Sequence, residues 1–119
     1  MTHKGGCHCG KIAYEFEGEI GTVLDCNCSI CAKTGFLHLI VDHANFTLES
    51  GRDALISYRF GTCLAEHLFC RICGIKGYYQ PRSHPGAWSV NLRCLDSGHG
   101  LDVVTRPFDG RNWKSAHTE

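Results

Sequence analysis

Residues 5–16 read Gly5-Gly6-Cys7-His8-Cys9-Gly10-Lys11-Ile12-Ala13-Tyr14-Glu15-Phe16, and two patterns meet there. A C-x-C pair lies between glycines. Directly after it, Ile12, Tyr14 and Phe16 alternate with Lys11, Ala13 and Glu15, the period-two spacing that puts large apolar groups on one face of a strand. Stretches rich in β-branched and aromatic residues, ending near Gly, Asp or Asn, recur at Phe36–Val41, Phe46–Ser50, Leu55–Phe60, Trp88–Leu92 and Leu101–Thr105. The 14 glycines are spread along all 119 residues, a rhythm of short strands and turns. A helical stripe is missing everywhere, and the best helical segment is short, Ser29–Lys33 behind a serine N-cap. The sequence therefore predicts a mainly β protein with one helical turn, a single domain over residues 1–119.

Composition narrows the function classes. Twelve Lys+Arg balance twelve Asp+Glu, so the chain lacks the positive charge that nucleic acid or an acidic membrane would attract. No run of apolar residues is long enough to span a bilayer. No phosphate loop, dinucleotide fingerprint or G-x-S-x-G elbow is present. A small β domain of this kind buries only about two thirds of its unfolded surface and gains from a metal staple.

Cysteine is the outlier, with 9 in 119 residues. Met1-Thr2-His3-Lys4-Gly5-Gly6 has no signal-peptide core, which points to a reducing cytoplasm where clustered cysteines bind metal rather than pair as disulfides. Seven of the nine fall into three clusters: Cys7 and Cys9, then Cys26, Cys28 and Cys31, then Cys70 and Cys73. Zinc takes four soft ligands in a tetrahedron, and closely spaced cysteines supply two of them from one turn. Cys7 and Cys9 with Cys70 and Cys73 complete such a site across 61 residues of chain, a clip worth about 10–16 kcal/mol of apparent binding. Gly10 and Gly74 follow the two pairs and can take the positive φ that turns backbone N–H groups toward the sulfurs.

The triplet Cys26, Cys28 and Cys31 offers three thiolates, and three protein ligands with an open position distinguish a catalytic zinc from a closed structural one. Other readings of the triplet are a different partition of the first metal, or free thiols. Iron, alone or in a cluster with sulfide, also suits all-thiolate ligation. Cys63 and Cys94 stand alone in apolar stretches and read as buried free cysteines, with Cys63 or His67 the alternative as a fourth ligand of the triplet metal. The 8 histidines form no H-x-x-x-H frame. Arg82, Arg93, Arg106 and Arg111 read as surface charges, of which one or two would clamp the carboxylates of a small anionic substrate.

The run GGCHCGKIAYEFEG, the triplet in LDCNCSIC, the segment HLFCRICG and the tail motifs NLRCLD and FDGRNW together resemble the glutathione-dependent formaldehyde-activating enzyme family. Tyr78-Tyr79-Gln80-Pro81-Arg82-Ser83 and Asn91-Leu92-Arg93-Cys94-Leu95-Asp96 are most similar to its centromere protein V-like branch. The likeness runs from Gly5 to Trp113. It implies a zinc-stabilised β-tent of small antiparallel sheets around two zincs. Cys7, Cys9, Cys70 and Cys73 would hold the structural zinc, and Cys26, Cys28 and Cys31 an open second one. The family commonly has a basic residue directly after the triplet, whereas here Ala32 comes first and Lys33 second.

The resemblance implies carbon–sulfur lyase-type chemistry in which glutathione thiol and formaldehyde combine to S-hydroxymethylglutathione. On this reading the triplet zinc holds a substrate thiol as thiolate, ready to attack an electrophilic carbon. The expected partner is a small thiol such as glutathione, not nucleic acid or membrane. Two other classes fit the same cysteines: a non-catalytic zinc-stabilised protein-interaction module, and a redox-sensitive metal buffer.

Overall fold

The structure, a computed structural model, describes residues 2–61, 64–96 and 105–108, Phe108 by its backbone alone. Within these residues ten strands surround one short helix: β1 Thr2–Gly6, β2 Ala13–Glu17, β3 Val23–Cys26, α1 Ser29–Thr34, β4 Leu37–Asp42, β5 Phe46–Ser50, β6 Leu55–Tyr58, β7 Glu66–Cys70, β8 Tyr78–Gln80, β9 Ala87–Asn91 and β10 Thr105–Phe108. The fold is mainly β, as the alternation predicts. Strands β1, β3, β7 and β8 were not foreseen; β1 carries Gly5 and Gly6, while β3 and β8 span only four and three residues.

The strands form two sheets. A small antiparallel sheet has the order β1-β2-β5, and a larger one the order β10-β3-β4-β9-β8-β7-β6. The larger sheet is mixed rather than purely antiparallel, because β10 runs parallel to β3, pairing Thr105 with Val23 and Phe108 with Cys26. Of the expected strand Leu101–Thr105, Thr105 opens β10 and residues 101–104 lie outside the described residues. Leu92 and Cys94, expected in or beside strands, sit in a 3-10 turn after β9.

Registers sort the large sheet into two faces. Directly opposed residues of antiparallel strands project to the same side. Leu24 opposes His38, His38 opposes Asn91, Ile40 opposes Ser89, Ser89 opposes Tyr79, and Tyr79 opposes His67. Their neighbours Val23, Leu39, Val41, Val90, Tyr78 and Leu68 therefore face the other way, and all six belong to the hydrophobic core. That core is completed by Tyr14 and Phe16 of β2, with Phe46 and Leu48 of β5 packed against it.

Rings from both sheets interlock in this layer. Tyr14 meets Tyr78 edge-on at 5.5 Å between centroids, and Phe46 lies 4.7 Å from Tyr78. Burying a phenol requires a partner for its hydroxyl, and Tyr14 Oη donates to the Gly77 carbonyl at 3.1 Å. Truncating an aromatic residue at such a position costs about 3–5 kcal/mol. The adjacent Tyr78 and Tyr79 are both buried but on opposite faces, the first in the core and the second on the face that carries the triplet.

Candidate metal centres and the site behind the triplet

The four-cysteine cluster joins the two sheets on the core side. Cys7 and Cys9 come from the turn between β1 and β2, Cys70 ends β7, and Cys73 lies in the following turn. Each pair sits in a similar knuckle. The N–H of Cys7 donates to the Ile12 carbonyl and the N–H of Cys70 to the Ile75 carbonyl, both at 3.1 Å. Gly10 at φ 82° and Gly74 at φ 76° reverse the chain, as expected from their places in the sequence. The Ile12 N–H approaches Cys7 Sγ at 3.3 Å and the Ile72 N–H approaches Cys70 Sγ at 3.4 Å.

The donor set fits zinc. All four sulfurs lie within 4.8 Å of one another. A tetrahedron with Zn–S bonds of about 2.3 Å has S–S edges of about 3.8 Å, and Cys7–Cys9 and Cys9–Cys70 are separated by 3.5 and 3.7 Å. The thiols of the cluster divide the charge unevenly: a backbone hydrogen bond at Lys11 lowers Cys9, but burial and the neighbouring thiols together raise it to about 11, while Cys70 and Cys73 are lowered. Desolvation raises the Cys73 thiol, but the N–H groups of Cys9 and Ile75 and the thiols of Cys7 and Cys70 outweigh it, leaving the pKa lowered to about 6.

The triplet spans the end of β3 and the start of α1. Cys28 occupies the N-cap position, in place of the expected Ser29, and Gly35 closes the helix in the left-handed conformation at φ 67°. The passage from β3 into α1 gathers the sulfurs of Cys26, Cys28 and Cys31 within 4.8 Å of one another. Negative charge settles on Cys28. Hydrogen bonds from Cys26 and Cys31 bring its pKa down to about 2, while the same contacts raise the thiol of Cys31. Three soft donors at this separation suit one metal ion, and among the described residues no fourth Cys, His, Asp or Glu joins the group. His67 does not join the three sulfurs, and its Nδ1 accepts from Lys76 Nζ at 2.7 Å. Cys63 lies outside the described residues. Cys94 is half-buried, and its thiol donates to the Lys76 carbonyl at 3.8 Å.

Behind the triplet lies a second buried cluster, in which sequence reasoning missed Lys76 and His38 and read His67 only as an alternative metal ligand. Lys76 is only 9% exposed. Its ammonium stands 3.8 Å from the centre of the Tyr79 ring and 5.0 Å from that of Phe36, and donates to His67. Burial lowers its pKa to about 8, opposed by the negative charge of the Cys31, Cys28 and Cys26 cluster. The cation beside the triplet is thus Lys76, from a distant stretch of chain, whereas Lys33 of α1 is exposed. Burial and the charge of Lys76 hold both His67 and His38 neutral, each pKa lowered to about 4. His38 Nδ1 meets Ser89 Oγ at 2.8 Å and Tyr79 Oη at 3.1 Å, while its Nε2 is buried without a hydrogen-bond partner. The only advance signal for His38 was a polar residue within the apolar run Phe36–Val41.

The sequence model of the family described as glutathione-dependent formaldehyde-activating enzyme matches residues 2–109. The chain belongs to that family. It is also similar to a Rhodobacter sphaeroides protein of known crystal structure, with 32% identity and a TM-score of 0.77, covering 87% of this chain and 99% of that one. Family membership brings glutathione and formaldehyde as the associated small molecules, and both cysteine clusters are compatible with metal binding. No described helix is long and apolar enough to cross a membrane.

Of the arginines expected to be surface charges, Arg93 is exposed and lines a groove of about 720 Å³ together with Lys4, Cys7, Asn91 and Cys94. That volume suits a small organic ligand. Asn91 opposes His38 across β9 and β4, so the groove and the buried cluster adjoin through one residue pair. Arg106 is exposed on β10, Arg82 is half-buried, and Arg111 lies outside the described residues.

Proposed function

We propose that the protein is a zinc-dependent carbon–sulfur lyase-type enzyme that joins the thiol of glutathione to formaldehyde, giving S-hydroxymethylglutathione, and reverses the step. The observation that carries this reading is the incomplete triplet: three sulfurs gathered where β3 passes into α1, no fourth protein donor among the described residues, and a buried ammonium beside them. Cys7, Cys9, Cys70 and Cys73 take the structural role, closing their site with four ligands. Cys26, Cys28 and Cys31 hold the second ion. Bound there, zinc would supply acidity to a coordinated thiol, which it keeps deprotonated near neutral pH.

The chain's own residues perform the remaining work. Lys76 offsets the excess negative charge of three thiolates, so that a further anionic sulfur can approach. Phe36 and Tyr79 wall that ammonium from water and strengthen its field. Lys4 and Arg93 on the groove offer cations to the carboxylates of a tripeptide thiol. The test is direct. Zinc-loaded protein should accelerate hydroxymethyl adduct formation from glutathione and formaldehyde above the spontaneous rate, and Cys28→Ser should remove the excess. A fully loaded wild type with no excess rate would refute the reading.

A further inference from the structure

Lys76 is held at both ends. Its carbonyl accepts from Asn91 Nδ2 at 3.3 Å and from the Cys94 thiol at 3.8 Å, and the carbonyl before it, of Ile75, accepts from the Cys70 N–H at 3.1 Å. The backbone is thereby tied to the knuckle of the four-cysteine cluster, while the ammonium lies over the Tyr79 ring at 3.8 Å from its centre. An aromatic face attracts a cation without fixing it at a point, and a buried ammonium carries three N–H donors that need acceptors. His67 Nδ1, at 2.7 Å, is such an acceptor.

His67 meets that need with a clamped, uncharged ring. An ammonium has no lone pair to offer, so Nδ1 accepts and the hydrogen of the neutral imidazole lies on Nε2. The residue is 5% exposed. Its strand β7 lies between β6 and β8, and a ring stacks on it from each side. Tyr79, its partner in the register, lies 4.8 Å away at 17° between planes, and Phe60, just past β6, at 5.4 Å and 21°. Burial, and then the neighbouring ammonium, keep the ring neutral. That neutrality matters for the sulfurs. A carboxylate in this place would hold Lys76 equally well and cancel its charge, whereas an imidazole holds it and leaves the charge to act on the triplet.

We propose that His67 is the positioning residue of this site: as an immobile neutral acceptor it fixes the Lys76 ammonium at one point beside the three sulfurs, and so decides where an incoming anionic sulfur is drawn. The inference rests on the reading of thiol chemistry at the triplet and names the group that makes the cation effective there.

The first test needs no variant. In the full-length, zinc-loaded protein, nitrogen NMR of the histidine rings should find the hydrogen of His67 on Nε2; a hydrogen on Nδ1 overturns the proposal. Two variants then separate holding from packing. His67→Asn keeps an acceptor near the place of Nδ1 but loses the stack, and His67→Phe keeps the stack without the acceptor. The two ε protons of Lys76 differ in chemical shift only while the side chain is held in one rotamer. They should stay distinct in His67→Asn and merge in His67→Phe. The opposite order, or no change in either, would make His67 a packing residue and overturn its role. In turnover, His67→Phe should lower kcat about 10–100-fold, the scale for a residue that orients another, and His67→Asn should recover the greater part. Equal losses in the two, each with its full complement of zinc, count against positioning. If the wild type shows no rate above background, the thiol–formaldehyde reading fails, while the ring hydrogen and the ε protons still decide how Lys76 is held.

Discussion

At the scale of single residues, a buried ring nitrogen without a partner costs about 1–3 kcal/mol, and His38 carries that cost as the second residue of β4. It also makes the fold sensitive to acid. The pKa of His38 is lowered from 6.5 to about 4, so between these values the unfolded chain binds a proton that the folded chain refuses. Stability from this group is therefore complete above pH 6.5 and falls as the pH drops, by about 3 kcal/mol on reaching pH 4. In urea denaturation across this window, His38→Phe should give a visibly shallower loss of stability than wild type; equal slopes would assign the acid sensitivity elsewhere. His67 shifts in the same direction and supplies part of what remains. His38 was not legible in advance as part of a site, and from the sequence His67 reads only as an alternative fourth ligand of the triplet metal. A lone histidine in an apolar run has the same appearance whether its ring nitrogens are both satisfied or one is left without a partner, and Lys76 between Ile75 and Gly77 bears no local mark of burial.

Single elements were read with more success, for a physical reason. Strand β5 falls on the anticipated Phe46–Ser50, and α1 extends the anticipated Ser29–Lys33 by one residue. Alternation and turn residues are local properties, visible in any window of sequence. Strand β8 escaped because three residues cannot display a period, and β1 because glycines carry no side chain to alternate. Helix α1 has only six residues and depends on its ends. A Cβ at Gly35 would meet no atom within 4 Å, so replacement there strains the backbone alone. Gly35→Ala should cost about 1 kcal/mol, and Gly35→Asn less, because asparagine tolerates the left-handed region. Urea midpoints of the zinc-loaded proteins measure both, and identical losses would show that the cap geometry is not the cause.

For the whole molecule, the two clusters differ in what depends on them. Cys70 belongs to the core with Cys7 and Cys73 packed against it, whereas Cys31 is buried outside that core. Mass spectrometry of the native protein should find about two zinc ions, and about one in a folded Cys28→Ser variant. Cys70→Ser should instead forfeit the fold, since a structural site contributes about 10–16 kcal/mol of apparent binding to a domain whose net stability is about 5–15 kcal/mol. A well-folded Cys70→Ser protein would contradict the division of roles. The grouping of the cysteines was readable from spacing, because ligands on one turn must lie close in sequence. Their location on opposite sides of one sheet was not, since the side a residue takes depends on strand registers set by partners far along the chain.

The alternation of β4, β8 and β9 also constrains how this protein can change over generations. Each of these strands feeds both surfaces with alternate residues, as Tyr78 and Tyr79 do within a single step. A one-codon insertion or deletion within them would exchange the two sets, turning Leu39 and Val90 toward the thiols and His38 and Ser89 into the oily interior. Length changes there are tolerable only in pairs, so descendants of this chain should accumulate substitutions in these strands and confine their gains and losses of residues to the turns between them.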